Sequence, residues 1–352
     1  MPAEWEPHAA TWIAWPHNRT DWPGKFAAIP WVYAEIVRHL ARVERVAVIV
    51  ENASARNQAL KILTDSGANT AAVDFYHWPT NRGWTRDCGP IFVVSESRLR
   101  EPVAITNWRF NAWAKYKDWQ KDGTIAGKVA RRLHLPEWQP AADLNRRPQR
   151  VVLEGGSIDV NGRGTMLTTE ECLLGPTQQR NPGLGRDDLE QVFAEYLGVR
   201  KVIWLNRGIT GDDTHGHVDD IARFVAPDTA VACVEADASD ANHEPLAENL
   251  GRLRTAPDQD GARLRIVELP MPAPVVFRGQ RLPASYANFY IANRLVLVPT
   301  FNDPHDRRAL EILAGLFPDR EVVGIHCGDL VWGLGTLHCM TQQQPAPRNV
   351  ET

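Results

Sequence analysis

The chain lacks the marks of several large classes. No run of about 18 apolar residues occurs, and the opening MPAEWEPHAATW has neither the basic nor the apolar segment of a secretory leader. A cytoplasmic protein without membrane contact is the expectation. CxxC spacing is missing too: Cys88, Cys172, Cys233, Cys327 and Cys339 form an odd, scattered set, which makes neither a disulfide framework nor a zinc knuckle. No GxGxxG or GxxxxGK[ST] loop follows a strand-like segment, which leaves a nucleotide-binding α/β sheet without support. There is no basic surplus, because 39 Lys+Arg against 43 Asp+Glu gives a net charge of −4. That balance argues against nucleic acid or any general polyanion as partner.

What is present is an ordinary globular composition, 43% hydrophobic and 23% charged over 352 residues. Thirteen tryptophans must be placed in the core or along a pocket that holds a cation. The chief organisational signal is one order of elements met five times: an amphipathic helix, a short β-branched strand, then a polar or glycine-rich loop with ionisable residues. The first has a helix at 54–66, a strand at 72–76 and a loop at 83–90. The second has a helix at 125–133, a strand at 151–153 and the loop Glu154-Gly155-Gly156. The third has a helix at 187–197, a strand at 202–205 and a loop at 208–217. The fourth has a helix at 244–252, a strand at 264–269 and the segment 285–288. The fifth has a helix at 305–316, a strand at 322–325 and a loop at 333–339. Strands at 157–160 and 165–168 around Asn161-Gly162 read as a hairpin. Five mixed units of this kind bury their sheet faces by arranging radially, with like loops facing one centre; a doubly wound sheet is the alternative.

The loops carry the chemistry. In the fifth, Gly333 and Gly335 allow backbone to approach a ligand, and Cys339 follows where a nucleophile can be presented. In the third, an extended chain from His215 would put His215, His217 and Asp219 on one face, an imidazole beside a carboxylate for proton transfer or cation binding. The same spacing resembles metal ligands, but no further His and carboxylate cluster follows it. In His326-Cys327 and His338-Cys339, neighbours on a strand face opposite ways, so neither pair chelates. A metal site is therefore not the expectation. Trp84, Arg86 and Asp87 share one loop, and Glu154 stands beside two glycines after a strand; either alone could be turn chemistry. Together, Asp87, Glu154, His217, Asp219 and Cys339 fall on matching loops of the repeats.

The segments WTRDCGP, EGGSIDVNGRGT, DDTHGHVDD and GLGTLHCMTQQQP, with MPAEWEPHAATWIAWPHN and SYANFYIAN, resemble the bacterial agmatine deiminase and peptidyl-arginine deiminase family in order and over essentially the whole chain. The resemblance implies the pentein fold, a five-bladed α/β propeller of pseudo-symmetric units, as a single catalytic domain over 1–352. It implies hydrolysis of a guanidinium to a ureido group without metal or cofactor. By position it makes Cys339 the nucleophile, His217 the acid/base, Asp87 and Asp219 the guanidinium clamp, and Glu154 a supporting carboxylate.

These residue types suit that chemistry. A guanidinium is planar and always protonated, so two carboxylates can each accept a pair of its hydrogen bonds. A thiol needs nearby positive charge to ionise near neutrality. For the substrate tail, an ammonium suits an acidic residue and an aromatic wall, and Trp84 and Asp213 precede Asp87 and His217 by three and four residues. A free arginine needs a clamp for its carboxylate, for which Arg86 or Arg223 are available. Agmatine is therefore the expected small-molecule partner, giving N-carbamoylputrescine and ammonia, with peptidyl or free arginine as the alternative. A metal-dependent ureohydrolase and a non-catalytic binding protein are the rival readings. A homodimer is the default assembly.

Overall fold

A strand pattern recurs through the computed structural model, which describes residues 1–95, 103–144 and 146–347. Each of five sheets has a central strand with an antiparallel neighbour on one side and a parallel neighbour on the other. A parallel pair needs a crossover, and in each unit a helix supplies it. The second unit has Ile91–Val94, Val103–Thr106 and Glu137–Trp138, with the helix Ile125–Leu133 between the last two. The third has Asp159–Val160, Thr165–Thr169 and Lys201–Leu205, with the helix Arg186–Leu197. The fourth has Ala222–Ala226, Thr229–Val234 and Arg265–Pro270, with the helix His243–Thr255. The fifth has Tyr290–Ala292, Leu295–Thr300 and Glu321–His326, with the helix Asp306–Leu316. The first unit is closed by the far end of the chain: Thr341–Pro345 pairs antiparallel with His8–Ala14, which runs parallel to Arg45–Val50 across the helix Ile29–Leu40.

Periodicity explains why these segments are helices and where they sit. In Ile29–Leu40 the buried residues Ile29, Tyr33, Ile36, Val37 and Leu40 lie at helical spacing and form one apolar face. Leu189, Val192, Phe193 and Leu197 do the same in Arg186–Leu197. Each fully buried side chain of this size contributes roughly 1.5–3 kcal/mol. The central strands are buried throughout or nearly so, as in Leu295–Thr300, whose first five residues are buried. Among the described residues no helix is long and apolar enough to cross a membrane.

The structure corrects four local expectations. The helix Ala53–Asp65 and strand Val73–His77 are an addition to the first unit, whose own helix and strand precede them. The parallel strand of the second unit is Glu137–Trp138; Val151, Val152 and Leu153 are buried as a connection, with a single bridge from Val152 to Arg109. Their apolar character reflects burial on the way to the site rather than sheet pairing. The hairpin around Asn161-Gly162 is shorter at its first arm, because Gly155–Ser157 is a 3-10 turn. Residues 215–219 are not extended: His215 and Gly216 have φ of 66° and 97°, and Val218–Asp220 is a 3-10 turn.

A short turn precedes the antiparallel strand of each of the five units, at 85–88, 155–157, 218–220, 285–288 and 337–340. The turns are tied to one another. Gly156 N donates to Asp87 Oδ1 at 3.0 Å, Ser285 Oγ to the Asp220 carbonyl at 2.8 Å, His338 N to the Asn288 carbonyl at 3.1 Å, and Arg86 N to the Cys339 carbonyl at 3.1 Å. Gly156 also faces the His217 ring, which joins the second link to the third. Five chain segments far apart in sequence thus meet at one centre.

Candidate active site

Backbone geometry aims each side chain. Asp87 sits in the single helical turn Thr85–Cys88, anchored where Thr85 Oγ1 accepts from Ala14 N at 2.8 Å. Its Oδ2 accepts from Trp113 Nε1 at 2.9 Å. Trp113 is presented by an unusual left-handed turn, in which Ala112, Trp113 and Ala114 have φ of 51°, 58° and 54°. Such a conformation costs roughly 1–2 kcal/mol for each non-glycine residue. Asn111 offsets part of this by accepting from Ala114 N at 2.9 Å. His217 is set by Asp212, whose Oδ2 accepts from Gly216 N at 2.7 Å and His217 N at 3.1 Å. Glu154 is held by Arg180, whose Nε donates to Oε1 at 3.2 Å.

Asp87, Glu154, His217, Asp219 and Cys339 are all buried and brought together. His217 Nδ1 lies 3.8 Å from Asp87 Oδ1 and 4.0 Å from Asp219 Oδ1, and its Nε2 lies 3.6 Å from Glu154 Oε2. Cys339 Sγ accepts from Asn288 Nδ2 at 3.2 Å and stands 3.8 Å from Asp219 Oδ2. The backbone between them must be glycine. A Cβ on Gly156 would stand 2.6 Å from His217 Nδ1 and 2.9 Å from Asp87 Oδ1, and one on Gly335 3.0 Å from Cys339 Cβ and 2.9 Å from the Trp84 ring. Either would fill the space in which the reactive groups face each other.

The charges are uneven. Burial opposes ionisation of His217, but the Asp87 carboxylate, then Cys172 and Glu154, raise its imidazole well above the usual value. Burial raises the Cys339 thiol well above its usual value, and the Asp219, Asp220 and Asp87 carboxylates add to the rise. Burial also lifts Asp87, opposed by His217 and reinforced by Asp219 and Glu154, to about 6. Asp219 is lowered: burial works against this, and His338, His217 and Arg223 outweigh it. Glu154 is lowered as well, with Arg180 and His217 overcoming burial. Asp219 Oδ1, Glu154 Oε2 and both ring nitrogens of His217 are buried without a hydrogen-bond partner. Placed beside one thiol, these groups can hold a small cation, present a nucleophile to it and move a proton.

Beneath this set lies a fully paired layer that sequence reasoning missed. Glu4 Oε1 accepts from Arg223 Nη2 at 2.9 Å and Ile291 N at 2.8 Å; Oε2 accepts from Arg86 Nη2 at 2.9 Å and faces His338 Nε2 at 2.9 Å. His338 Nδ1 faces Asp219 Oδ2 at 2.6 Å. Residues 337–340 form a turn rather than a strand, so His338 and Cys339 both reach Asp219. Arg223 also pairs with Asp159, and Arg86 with Gln343. Both arginines are thereby consumed, and neither lines the cavity, so they are not free to clamp a substrate carboxylate.

A cavity of about 280 Å³ leads down to Asp87 and Cys339. Trp84, Trp113, Tyr116 and Leu334 line it together with Asp21, Arg82 and Asp213. Asp213 is already engaged, with Lys115 Nζ on Oδ1 and Tyr116 Oη donating to Oδ2 at 2.7 Å. Arg82 pairs with Asp21 and Asp118, and Asp21 Oδ2 is left buried without a partner. His215 turns away toward Glu171, at 3.8 Å. One metal-like trio exists among the described residues, Glu154, Cys172 and His217, with ligand atoms within 4.8 Å of one another. The Arg180 guanidinium on the same carboxylate already supplies a positive charge there.

Residues 1–345 match the family model described as Porphyromonas-type peptidyl-arginine deiminase. The agmatine deiminase of Medicago truncatula is 36% identical over 98% of this chain and 96% of its own. Among solved structures, the agmatine deiminase of Enterococcus faecalis is similar with a TM-score of 0.89 and 31% identity, covering 99% of this chain and 96% of that one. An agmatine deiminase of C. jejuni with substrate bound has a TM-score of 0.84 and 28% identity over the same shares.

Proposed function

Because the chain belongs to the Porphyromonas-type peptidyl-arginine deiminase family, we propose that it is an agmatine deiminase, acting on agmatine and water to give N-carbamoylputrescine and ammonia. The observation that carries the reading is the Cys339 thiol 3.8 Å from Asp219 Oδ2, with Asp219 Oδ1 buried without a hydrogen-bond partner and His217 between Asp87 and Glu154. A guanidinium between Asp87 and Asp219 satisfies Asp219 Oδ1 and fixes its central carbon. All five turns and Glu4 contribute to the site or its floor, which supports the whole chain acting as one catalytic domain. The same reading is of a cytoplasmic enzyme for a small guanidine, with a homodimer as its assembly and no nucleic acid as partner.

The pKa directions give an order of events. In the free enzyme the thiol is protonated and His217 is an imidazolium. A bound guanidinium places a positive charge beside Cys339 and offsets the carboxylates that hold the proton on sulfur, so the thiol gives that proton up to water as substrate binds and is left as the thiolate. The thiolate attacks the central carbon, giving a tetrahedral adduct. His217 then protonates one amino group, which leaves as ammonia and leaves the carbon bonded to Cys339 in an S-alkylthiouronium. The neutral imidazole takes a proton from water as the oxygen attacks, and collapse expels the thiolate while the new hydroxyl loses its proton to water, leaving the ureido group; the thiolate regains a proton from water once the product has left. Proton transfer of this kind is worth about 10²–10⁴ in rate. The ureido group of the product is uncharged and loses its ionic contacts with both aspartates.

Arg82, which lines the cavity, and Lys115, which pairs with its Asp213, are both matched by carboxylates, which leaves little for a substrate carboxylate to bind. Asp21 Oδ2, with Asp213 beyond it and the Trp84 and Trp113 rings as walls, suits a terminal ammonium. Ammonia release from agmatine, free arginine and an arginine peptide tests the choice. Agmatine is expected to lead by roughly 10²-fold in kcat/KM; equal or faster turnover of either arginine form reverses it. Thiol alkylation should abolish turnover while a chelator leaves it intact, and the opposite pair of results would establish a metal-dependent ureohydrolase.

A further inference from the structure

Whole-chain charge hides a local surplus. Residues 103–150 hold ten Lys or Arg and four Asp or Glu, in a chain of net charge −4. There the guanidiniums of Arg109, Arg147 and Arg150 and the rings of Trp108, Phe110 and Trp119 line a cavity of about 920 Å³ with no carboxylate in its wall. Arg109 and Arg147 make no ion pair among the described residues. Arg150 donates from Nη2 to the Asn107 carbonyl at 2.5 Å, and its Nε is buried without a partner. Burial lowers the Arg150 pKa, against some support from Glu137, and the neighbouring Arg109 charge lowers it further. Arg109 and Arg147 are exposed and Arg150 is half-buried, and none of the three is in an ion pair among the described residues, so all three are free to meet an anion.

We propose that this cavity is a second ligand site, separate from the thiol, for a small phosphorylated compound carrying a flat ring, of the nucleotide class. Guanidinium forks match phosphate oxygens in pairs, and half-buried Trp119 in the same wall offers a ring on which a flat ligand stacks. The volume lies within the range of small-molecule sites. The floor is shared with the catalytic wall: Phe110 meets Trp113 edge-on with centroids 5.4 Å apart, and Trp113 holds Asp87. Arg109 exchanges backbone hydrogen bonds with Val151 and Leu153, directly before Glu154.

Isothermal titration of the full-length protein, free of phosphate, tests the site with ATP, inorganic pyrophosphate and adenosine as probes. One ATP per chain should bind, about tenfold more tightly than pyrophosphate, with adenosine weaker than both. Arg109→Ala changes an exposed side chain and should weaken ATP at least tenfold while agmatine turnover persists. Trp119→Leu should narrow the gap between ATP and pyrophosphate, which separates loss of the ring platform from loss of charge. The proposal fails if ATP does not bind below millimolar concentration, or if Arg109→Ala binds it as the unaltered protein does. Equal affinity for ATP and pyrophosphate in the unaltered protein would contradict the role given to the rings.

Discussion

Two layers of buried charge lie one above the other at the centre of the molecule, and they differ in how completely they are paired. Below, both oxygens of Glu4 are met by Arg86, Arg223, His338 and a backbone N–H, and Arg223 is also matched by Asp159. Above, Asp219 Oδ1, Glu154 Oε2 and both His217 nitrogens have no hydrogen-bond partner, with His217 standing 3.6–4.0 Å from its carboxylates. Burial costs are similar in kind, so the pairing tells the layers apart: the lower one fixes the turns, and the upper one is built to receive something charged. Asp219 belongs to both, with Oδ2 on His338 and Oδ1 open.

The contrast can be broken from either side. The largest effect is expected from Cys339→Ala, which should lower turnover by about 10⁴-fold or more while leaving the denaturation midpoint nearly unchanged. Steady-state rates and urea titration check both halves. Glu4→Gln should do the reverse. Removing one anion from a buried ion network costs about 3–5 kcal/mol, while the folded fraction keeps most of its turnover. Burial opposes the ionised form of Glu4, but Arg223, His338 and Arg86 together depress its pKa well below the usual range. The stability it confers is therefore full at neutral pH and fades as the pH drops below about 4, so the two proteins should converge in acid. A loss under 1 kcal/mol at pH 7 would remove the distinction between the layers.

Smaller effects sharpen the upper layer. With its pKa raised to about 6, Asp87 gains a proton as the pH falls through that value and offers the guanidinium one negative charge fewer. KM for agmatine should then rise about tenfold for each unit below pH 6. Asp87→Asn should show a high KM at every pH and no such step. Smallest is Leu334→Gly. Leu334 lines the cavity in a left-handed conformation, with φ 70° and ψ 30°. Glycine relieves about 1 kcal/mol of strain there, so thermal stability should hold or rise. A wider mouth should raise arginine turnover relative to agmatine by about 3–10-fold; an unchanged ratio would show that Leu334 plays no part in selection.

Much of this arrangement is legible in the chain, for reasons that also mark where legibility ends. Helices such as Arg186–Leu197 and His243–Thr255 announce themselves because their apolar residues must share one face. Asp87, Glu154, His217, Asp219 and Cys339 stand out because each is an ionisable residue beside glycine or another ionisable group on a matching loop. Val151 to Leu153 misleads, since a buried connection and a buried strand need the same side chains. Glu4 is 335 positions from Cys339, and nothing in MPAEWEPH marks one glutamate as the centre of an ion network. Trp113 is hidden for another reason: Ala-Trp-Ala carries no glycine to signal a left-handed turn. His338 is misplaced if its segment is taken as extended, because a turn lets adjacent side chains meet one carboxylate.

Covalent capture at the thiol is the most direct test. The protein is mixed with agmatine, quenched in acid within milliseconds and digested, and the peptide containing Cys339 is weighed. A transient adduct retaining the agmatine carbon skeleton less ammonia is predicted on Cys339, absent from Cys339→Ala and accumulating when His217 is replaced by a residue that can release ammonia but not activate water. Normal turnover with Cys339 unmodified at every quench time would contradict it.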